Sequence, residues 1–374
     1  MDAVIIGGGV LGTVLAYLLT ARGVNATLIN SGFQRPRFPL IHSKLLRISE
    51  DIRLARISED VYRELSREIG INVLRPMDSV TIIPNTCYDD TSRLMNMWHN
   101  VGVNTRIISD VRDYGIKEIN EKEVYILSTN GDNFVNFPLL MKYVRNTNGI
   151  KYINGIARIK LSDDGVKALV NSEILHGDYF IITAGAWNSI IARNANLRIP
   201  LLPYKCQAAA FLSRRIDIIV YDYVLEIYIR PLGSIINNAL GALGLSVMVS
   251  GDGNSRVTEP GKEGSVDREF LNEIKNKVRA RLGNALLIGS RFGFCESTPD
   301  MRPVVGVVGS NNLLLIGGFN GYGAEVGPAL AMAVVNYLLD GSWPDYARPY
   351  LIDRFGNDWP NIWDIDIEAH ELCV

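Results

Sequence analysis

The residues best placed to do chemistry in this chain are glycines. Gly7-Gly8-Gly9-Val10-Leu11-Gly12 spells G-x-G-x-x-G, and a dinucleotide ligand would give each fixed glycine a task. Gly7 permits a tight turn out of a strand, Gly9 lets backbone N–H groups reach a pyrophosphate, and Gly12 lets a helix pack close to that strand. Val10 and Leu11 then carry the first amides of the helix, whose N-terminus offers free donors and partial positive charge. A second cluster, Gly317-Gly318-Phe319-Asn320-Gly321-Tyr322-Gly323, also leads into an apolar helical run, so its backbone can approach a ligand closely. The competing reading of each cluster is a glycine-rich turn with no ligand. Histidines 42, 99, 176 and 370 and cysteines 87, 206, 295 and 373 are scattered, with neither C-x-x-C nor H-x-x-x-H spacing. That argues against a zinc site and a disulfide framework, and suits a reducing compartment.

These residues need elements to hold them. Ala3–Ile6 reads as a short apolar strand, Gly12–Arg22 as a helix stopped by Gly23, and Val24–Ile29 as a second strand. Strand, glycine turn, helix and strand within about 30 residues make the βαβ unit of a doubly wound sheet. The second strand of such a unit commonly ends in Asp or Glu for the ribose hydroxyls; here Asn30 stands there, followed by Ser31. Asn30 is either a weaker, uncharged ribose ligand or an ordinary turn residue. Residues 50–70 carry apolar side chains at helical spacing on a charged background, which predicts a solvated amphipathic helix. Residues 72–134 read as strands and turns, Leu139–Arg145 as a helix opened by Pro138, and Tyr152–Ile159, Val166–Val170 and Tyr179–Thr183 as strands. Asp267–Leu282 reads as a charged helix, Leu313–Ile316 as a strand, and Pro328–Leu339 as a helix ended by Gly341.

Composition sets the outer bounds. The 374 residues suit about two domains. With 38 Lys plus Arg against 40 Asp plus Glu, nothing points to a polyanionic partner, and nucleic acid is not expected. The apolar run Ala3–Leu19 has no preceding Lys or Arg and contains four glycines, so it reads as strand plus helix and not as a targeting segment. Ile235–Val249 is too short and, with Asn237 and Asn238, too polar to span a bilayer. The expected location is cytoplasmic, with surface association at a membrane left open.

Three further segments carry a resemblance. Asp178-Tyr179-Phe180-Ile181-Ile182-Thr183-Ala184-Gly185-Ala186-Trp187 resembles a strand ending in A-G-A-W. Ser297-Thr298-Pro299-Asp300-Met301-Arg302-Pro303-Val304-Val305-Gly306 is similar to T-P-D-x-x-P-x-x-G, and Gly318–Gly323 is near G-F-x-G-H-G. These motifs, in this order, resemble the FAD-dependent D-amino-acid-oxidase-like family, which includes glycine and sarcosine oxidases and dye-linked proline dehydrogenases. Weaker matches are Tyr228-Ile229-Arg230-Pro231, Pro203–Gln207 and Arg354-Phe355. The resemblance implies an α/β FAD-binding Rossmann-like domain of the glutathione-reductase type, interleaved with an α+β substrate domain built on a mixed β-sheet. The expected division is 1–75, 135–200 and 290–355 for FAD, 76–134 and 201–289 for substrate, and 356–374 as a C-terminal tail.

By that resemblance the cofactor is FAD. Its expected ligands are Gly7, Gly9, Val10, Leu11, Gly12, Asn30, Ser31, Ser43, Lys44, Ile156, Ala184, Gly185, Trp187, Asp300, Gly318, Asn320, Gly321, Tyr322, Gly323 and Ala324. The glycine motif at residue 7 alone also permits NAD(P) chemistry; the later cluster favours flavin. The implied reaction is oxidation of an amino acid or secondary amine, proline-, sarcosine- or glycine-like, by hydride transfer from its α-carbon to flavin N5. No obligatory acid–base residue follows, and oxygen, a quinone or a dye takes the electrons. His42–Arg47 resembles a stretch that places Arg47 at a substrate carboxylate, its alternative being a surface ion pair. Tyr228 and Tyr322 either wall the substrate pocket or pack in the core. Glu325 stands where relatives carry Lys and Cys295 where some carry Arg. These departures, with Trp359, Ile362 and Trp363 in the tail, motivate a different reading: a flavin-carrying subunit that docks on a partner through its tail. A tail packed on its own domain is the other possibility.

Overall fold

A computed structural model describes residues 1–33, 39–41, 46–119, 122–162, 165–233, 235–252, 256–261, 264–366 and 372–373. Its first sheet runs, in spatial order, Val304–Val308, Ser310–Gly317, Tyr179–Ile182, Asp2–Ile6, Asn25–Asn30 and Ile150–Asn154. All neighbours are parallel except the antiparallel edge formed by Val304–Val308. Alternate side chains divide the two faces. Ala3, Ile5, Leu28, Ile181 and Leu314 pack under the helices Val10–Thr20 and Gly323–Asp340. Val4, Ile6, Phe180, Ile182 and Leu313 pack against a three-stranded antiparallel sheet of Ala157–Ser162, Gly165–Val170 and Glu173–Leu175. Burial on both faces explains why these strands read as continuous apolar runs.

A mixed ten-stranded sheet forms the second layer system. Its long strands Leu74–Pro84, Glu123–Val135, Leu202–Arg214 and Leu286–Ser297 are antiparallel to their long neighbours. The helix Arg268–Leu282 covers one face of it through Phe270, Ile274 and Val278. Arg281 of that helix is buried between Asp222 and Glu123, with bonds to both carboxylates and to the Lys117 carbonyl. The sheet classes expected from the resemblance are those observed.

Two stretches differ from the sequence reading. Tyr152–Ile159 is two strands in two sheets, Ile150–Asn154 and Ala157–Ser162. They part at Gly155, whose N–H bonds the Asn30 carbonyl at 3.1 Å. Residues 72–134, read as strands and turns, contain the helix Tyr88–Asn100. Asp89 and Asp90 favour its first turn and the buried Trp98 anchors it. Among the described residues, no helix is long and apolar enough to cross a membrane.

Cysteine spacing argued against a disulfide, and here the structure corrects the expectation. Cys87 and Cys373 are bonded, with Cα atoms 5.4 Å apart across 286 residues of sequence. Spacing along the chain carries no information on two segments that only the fold brings together, and the pairing removes cysteine usage as an argument for a reducing compartment. The described tail residues contact their own chain. Arg198 donates to the carbonyls of Asn357 and Trp359 and sits 4.5 Å from the Trp359 ring centroid. Trp363 Nε1 donates to Ser297 Oγ at 3.1 Å, and Leu372 is 1% exposed.

The helix Gly323–Asp340 begins five residues before the Pro328 start predicted from sequence, so proline stands inside it. Proline has no N–H for the carbonyl four residues earlier, which is that of Ala324. The fully buried Tyr62 fills the gap: its hydroxyl donates to Ala324 O at 2.9 Å. One residue on, the Ala329 N–H donates to Ser58 Oγ at 3.0 Å. Both partners lie on the helix Ser49–Ile69, so packing and backbone satisfaction are met by the same neighbour. Tyr62→Phe leaves a buried carbonyl unsatisfied and is expected to lower stability by about 1–3 kcal/mol. In a Pro328→Ala background, where the helix supplies its own donor, the same change should cost much less; equal costs in a denaturation double-mutant cycle would refute the assignment.

Candidate active site

A cavity of about 1170 Å³ opens at the carboxyl ends of the parallel strands, between the two large sheets. That is the usual ligand position in doubly wound sheets, and its size exceeds the roughly 300–1,000 Å³ of ordinary small-molecule pockets. The first glycine loop forms one border through Gly7, Gly9, Val10 and Leu11. Gly7 has φ +126°, and a Cβ there would lie 2.3 Å from Thr183 O; a Cβ on Gly12 would lie 1.9 Å from Gly7 O. These two glycines bring backbone against backbone, and Gly12 does not itself border the cavity. Gly9 is different in kind: a Cβ there meets no protein atom within 4 Å, so the space it leaves is ligand space. No side chain caps the helix that follows, and no acidic residue lies in its first turn. Its amides therefore face the cavity as anion donors.

Asn30 and Ser31 border the cavity beside this loop. The Asn30 side chain is already engaged: Oδ1 accepts from Gly32 N–H at 3.0 Å, and Nδ2 donates to Tyr152 Oη at 2.7 Å. It is a turn residue in place, whatever else it binds. Ile156, Ala184, Gly185 and Trp187 line the next part, and Asn320, Gly321, Tyr322, Gly323 and Ala324 close the far end. The second helix N-terminus, at Gly323, again has no side-chain cap.

Two of these turns and the end of the Leu286–Ser297 strand are tied together by two buried side chains. Asn188 Oδ1 accepts from Ala184 N–H at 2.7 Å, and its Nδ2 donates to Glu296 Oε1 at 2.8 Å and to Ile316 O at 3.2 Å. The same Oε1 accepts from Gly318 N–H at 3.0 Å, and the Glu296 carbonyl accepts from Asn320 N–H. Gly318 and Asp300, expected as cofactor ligands, stand outside the cavity lining. Gly318 serves this brace. Asp300 accepts from Thr298, from Arg302 N–H and from Arg354, which hold its carboxyl below the ordinary range against the opposing effect of burial. Burial instead pushes Glu296 up to about 8, only partly offset by the Gly318 and Asn188 bonds. Its acid is therefore mainly neutral at pH 7. Glu296 was not singled out from sequence as a site residue; a glutamate between two strand-like residues gives no sign of total burial.

Of the substrate candidates, Tyr228 and Tyr322 border the cavity. Arg47 is exposed and outside the lining, and Ser43 and Lys44 lie outside the described residues. Sequence reasoning passed over Arg230. It stands two residues beyond Tyr228 on Ile227–Pro231, so the two share a face of the strand, and it borders the same cavity, half-buried. The signal was present in Tyr228-x-Arg230. Glu325 is 1% exposed and does not line the cavity.

A Rossmann-like sheet with a large cavity at the carboxyl ends of its strands, bordered by a G-x-G-x-x-G loop, defines a dinucleotide-binding class of protein. Residues 2–337 match the family described as FAD dependent oxidoreductase, and the chain belongs to that family. Among curated proteins, none matches the sequence. Solved structures share the fold. L-proline dehydrogenase from P. horikoshii is 19% identical, with 95% of this chain and 97% of that one covered and a TM-score of 0.78. Iminodiacetate oxidase from a Chelativorans species is 18% identical (94% and 98% covered, TM-score 0.74). Glycine oxidase from Geobacillus kaustophilus is 15% identical (94% and 98% covered, TM-score 0.74).

Two outcomes follow from this geometry. Gly9→Val adds a Cβ that meets no protein atom within 4 Å, on the cavity border and at an unstrained φ of −76°. It should reduce bound flavin per chain at least about tenfold while leaving the far-ultraviolet spectrum intact, since the amides must approach the diphosphate closely. Undiminished flavin content would refute it. For Glu296 the folded value is raised above the ordinary 4.5, so the folded state binds the extra proton. Its stabilising contribution is complete below about 4.5 and is lost as pH rises to about 8. Glu296→Gln keeps an oxygen acceptor and cannot ionise, so its Tm should fall less than wild type between pH 5 and 8.5; parallel curves would show that Glu296 does not titrate there.

Proposed function

We propose that this FAD-dependent oxidoreductase oxidises an amino acid or secondary amine, proline-, sarcosine- or glycine-like. The observation carrying the proposal is one cavity bordered both by two uncapped helix N-termini and by Tyr228 and Arg230. The first helix suits a diphosphate, and the Gly321–Ala324 turn suits the electron-rich edge of a flavin ring. FAD, when bound, supplies the hydride acceptor for the substrate α-carbon. The protein's own residues then orient the substrate. The Arg230 guanidinium has the fork geometry to take a carboxylate bidentately, Tyr228 offers a hydroxyl from the same strand face, and the flanking sheets exclude water. Proline dehydrogenase, iminodiacetate oxidase and glycine oxidase among the fold neighbours are consistent with an amino or imino acid.

The test is anaerobic bleaching of the bound flavin by a panel of D- and L-amino acids, sarcosine, glycine and hydroxyproline, run beside an artificial dye and peroxide detection. No bleaching by any of them would end the proposal. With a substrate in hand, Arg230→Ala should raise KM by at least about tenfold, the scale of one charge-assisted contact, with a smaller effect on kcat. Arg47→Ala is the comparison and should change KM little.

A further inference from the structure

Cys206 and Cys295 lie on the paired antiparallel strands Leu202–Arg214 and Leu286–Ser297. In that register Tyr204 opposes Cys295 and Cys206 opposes Gly293. Directly opposed residues share a face, as do residues two apart along a strand, so both cysteines point to one side. Gly293 has no side chain, which leaves the diagonal open. The two sulfurs stand 3.1 Å apart, about 1 Å from the ~2.05 Å of a disulfide. Both residues border the large cavity and are half-buried, so a small solute can reach them. The other two cysteines are already bonded to each other.

From this geometry we infer that Cys206 and Cys295 are a peroxide-reactive dithiol site in the wall of the flavin cavity, closing to a reversible disulfide. The Cys206 thiol is lowered by the hydrogen bond from Cys295, whereas that same contact and burial raise Cys295. Cys206 is thus the attacking sulfur and Cys295 the resolving one. The Cys206 thiolate attacks hydrogen peroxide and the O–O bond breaks, giving a sulfenic acid at Cys206 and a hydroxide that takes up the proton lost by the thiol and leaves as water. The Cys295 sulfur then attacks the Cys206 sulfur, the S–O bond breaks, the S–S bond forms, and a second water leaves. Two thiols lose two electrons and two hydrogens, and one peroxide becomes two waters. A small dithiol reverses the change by thiol–disulfide exchange.

The experiment uses the full flavin-loaded chain, treats it with stoichiometric hydrogen peroxide, alkylates it under denaturing non-reducing conditions, and maps the peptides by mass. Cys206 and Cys295 should both lose alkylation and appear in one cross-linked peptide two hydrogens lighter than the two thiol peptides together. Dithiothreitol should restore both. Cys295→Ser should stop the chemistry at a Cys206 sulfenic acid that dimedone traps. Two thiols that stay alkylatable, or that acquire separate oxygen adducts with no cross-link, would overturn the inference. The readout is sulfur chemistry, so it stands or falls separately from whether the chain oxidises any amine.

Discussion

Glu296 stands where three segments from distant parts of the sequence must meet, and its Oε1 accepts from two of them at once, the Asn188 side chain and the Gly318 amide. Asn188 in turn holds the Ala184 amide. The turn after the Tyr179–Ile182 strand and the turn after Ser310–Gly317 are thereby fixed relative to each other, and both border the cavity. The arrangement works because the carboxyl is held mainly neutral. An ionised, fully buried carboxylate with no cation beside it would carry a desolvation cost of several kcal/mol, and Oε2 meets no donor among the described residues. Sterics reinforce the chemistry: a Cβ on Gly317 would lie 2.5 Å from Glu296 Oε1 and 2.6 Å from Asn188 Nδ2. Glycine at 317 is therefore a requirement of the brace and not of a ligand.

The same accounting of backbone donors and acceptors explains the second helix N-terminus. Pro328 inside Gly323–Asp340 would leave the Ala324 carbonyl orphaned, and the Ser49–Ile69 helix repairs it through the Tyr62 hydroxyl, while Ser58 Oγ accepts from the next N–H, that of Ala329. Sequence periodicity placed the helix start at Pro328 because proline is common in a first turn. Tertiary packing moved it back to Gly323, so the Gly323 and Ala324 backbone that borders the cavity belongs to the helix itself. The difference matters for function, since it places a helix N-terminus, and not merely a glycine turn, at the end of the cavity.

What was legible in the sequence follows a physical pattern. The Asp2–Ile6 strand, the Val10–Thr20 helix and the Asn25–Asn30 strand were readable because local rules set them: apolar runs, a glycine turn, and a helix stop at Gly23. The Gly318–Gly323 cluster was readable for the same reason. Features set by contact between remote segments were not. The Cys87–Cys373 bond, the Cys206–Cys295 approach, the burial of Glu296 and the position of Arg230 each depend on contacts between segments far apart in the chain. The helix Tyr88–Asn100 was missed for a local reason: Thr91 and Ser92 interrupt its apolar period, and Trp98 is its one fully buried large side chain.

That division also separates cofactor from substrate. The six-stranded sheet meets the cavity chiefly with main chain, as glycine turns and helix N-termini, and backbone recognition leaves glycines in the sequence as its trace. The ten-stranded sheet meets it with side chains, including Tyr228, Arg230, Cys206 and Cys295. A strand presents whichever residue falls on the inward face, so no spacing rule announces it, and one residue of register shift would turn it away. The cofactor class can thus be read from a single sequence, whereas the side chains that the proposed function assigns to the substrate depend on the register of Ile227–Pro231 and Leu286–Ser297 against their neighbours. A chain that kept every glycine and shifted either register would keep the main-chain border of the cavity and present different side chains to it.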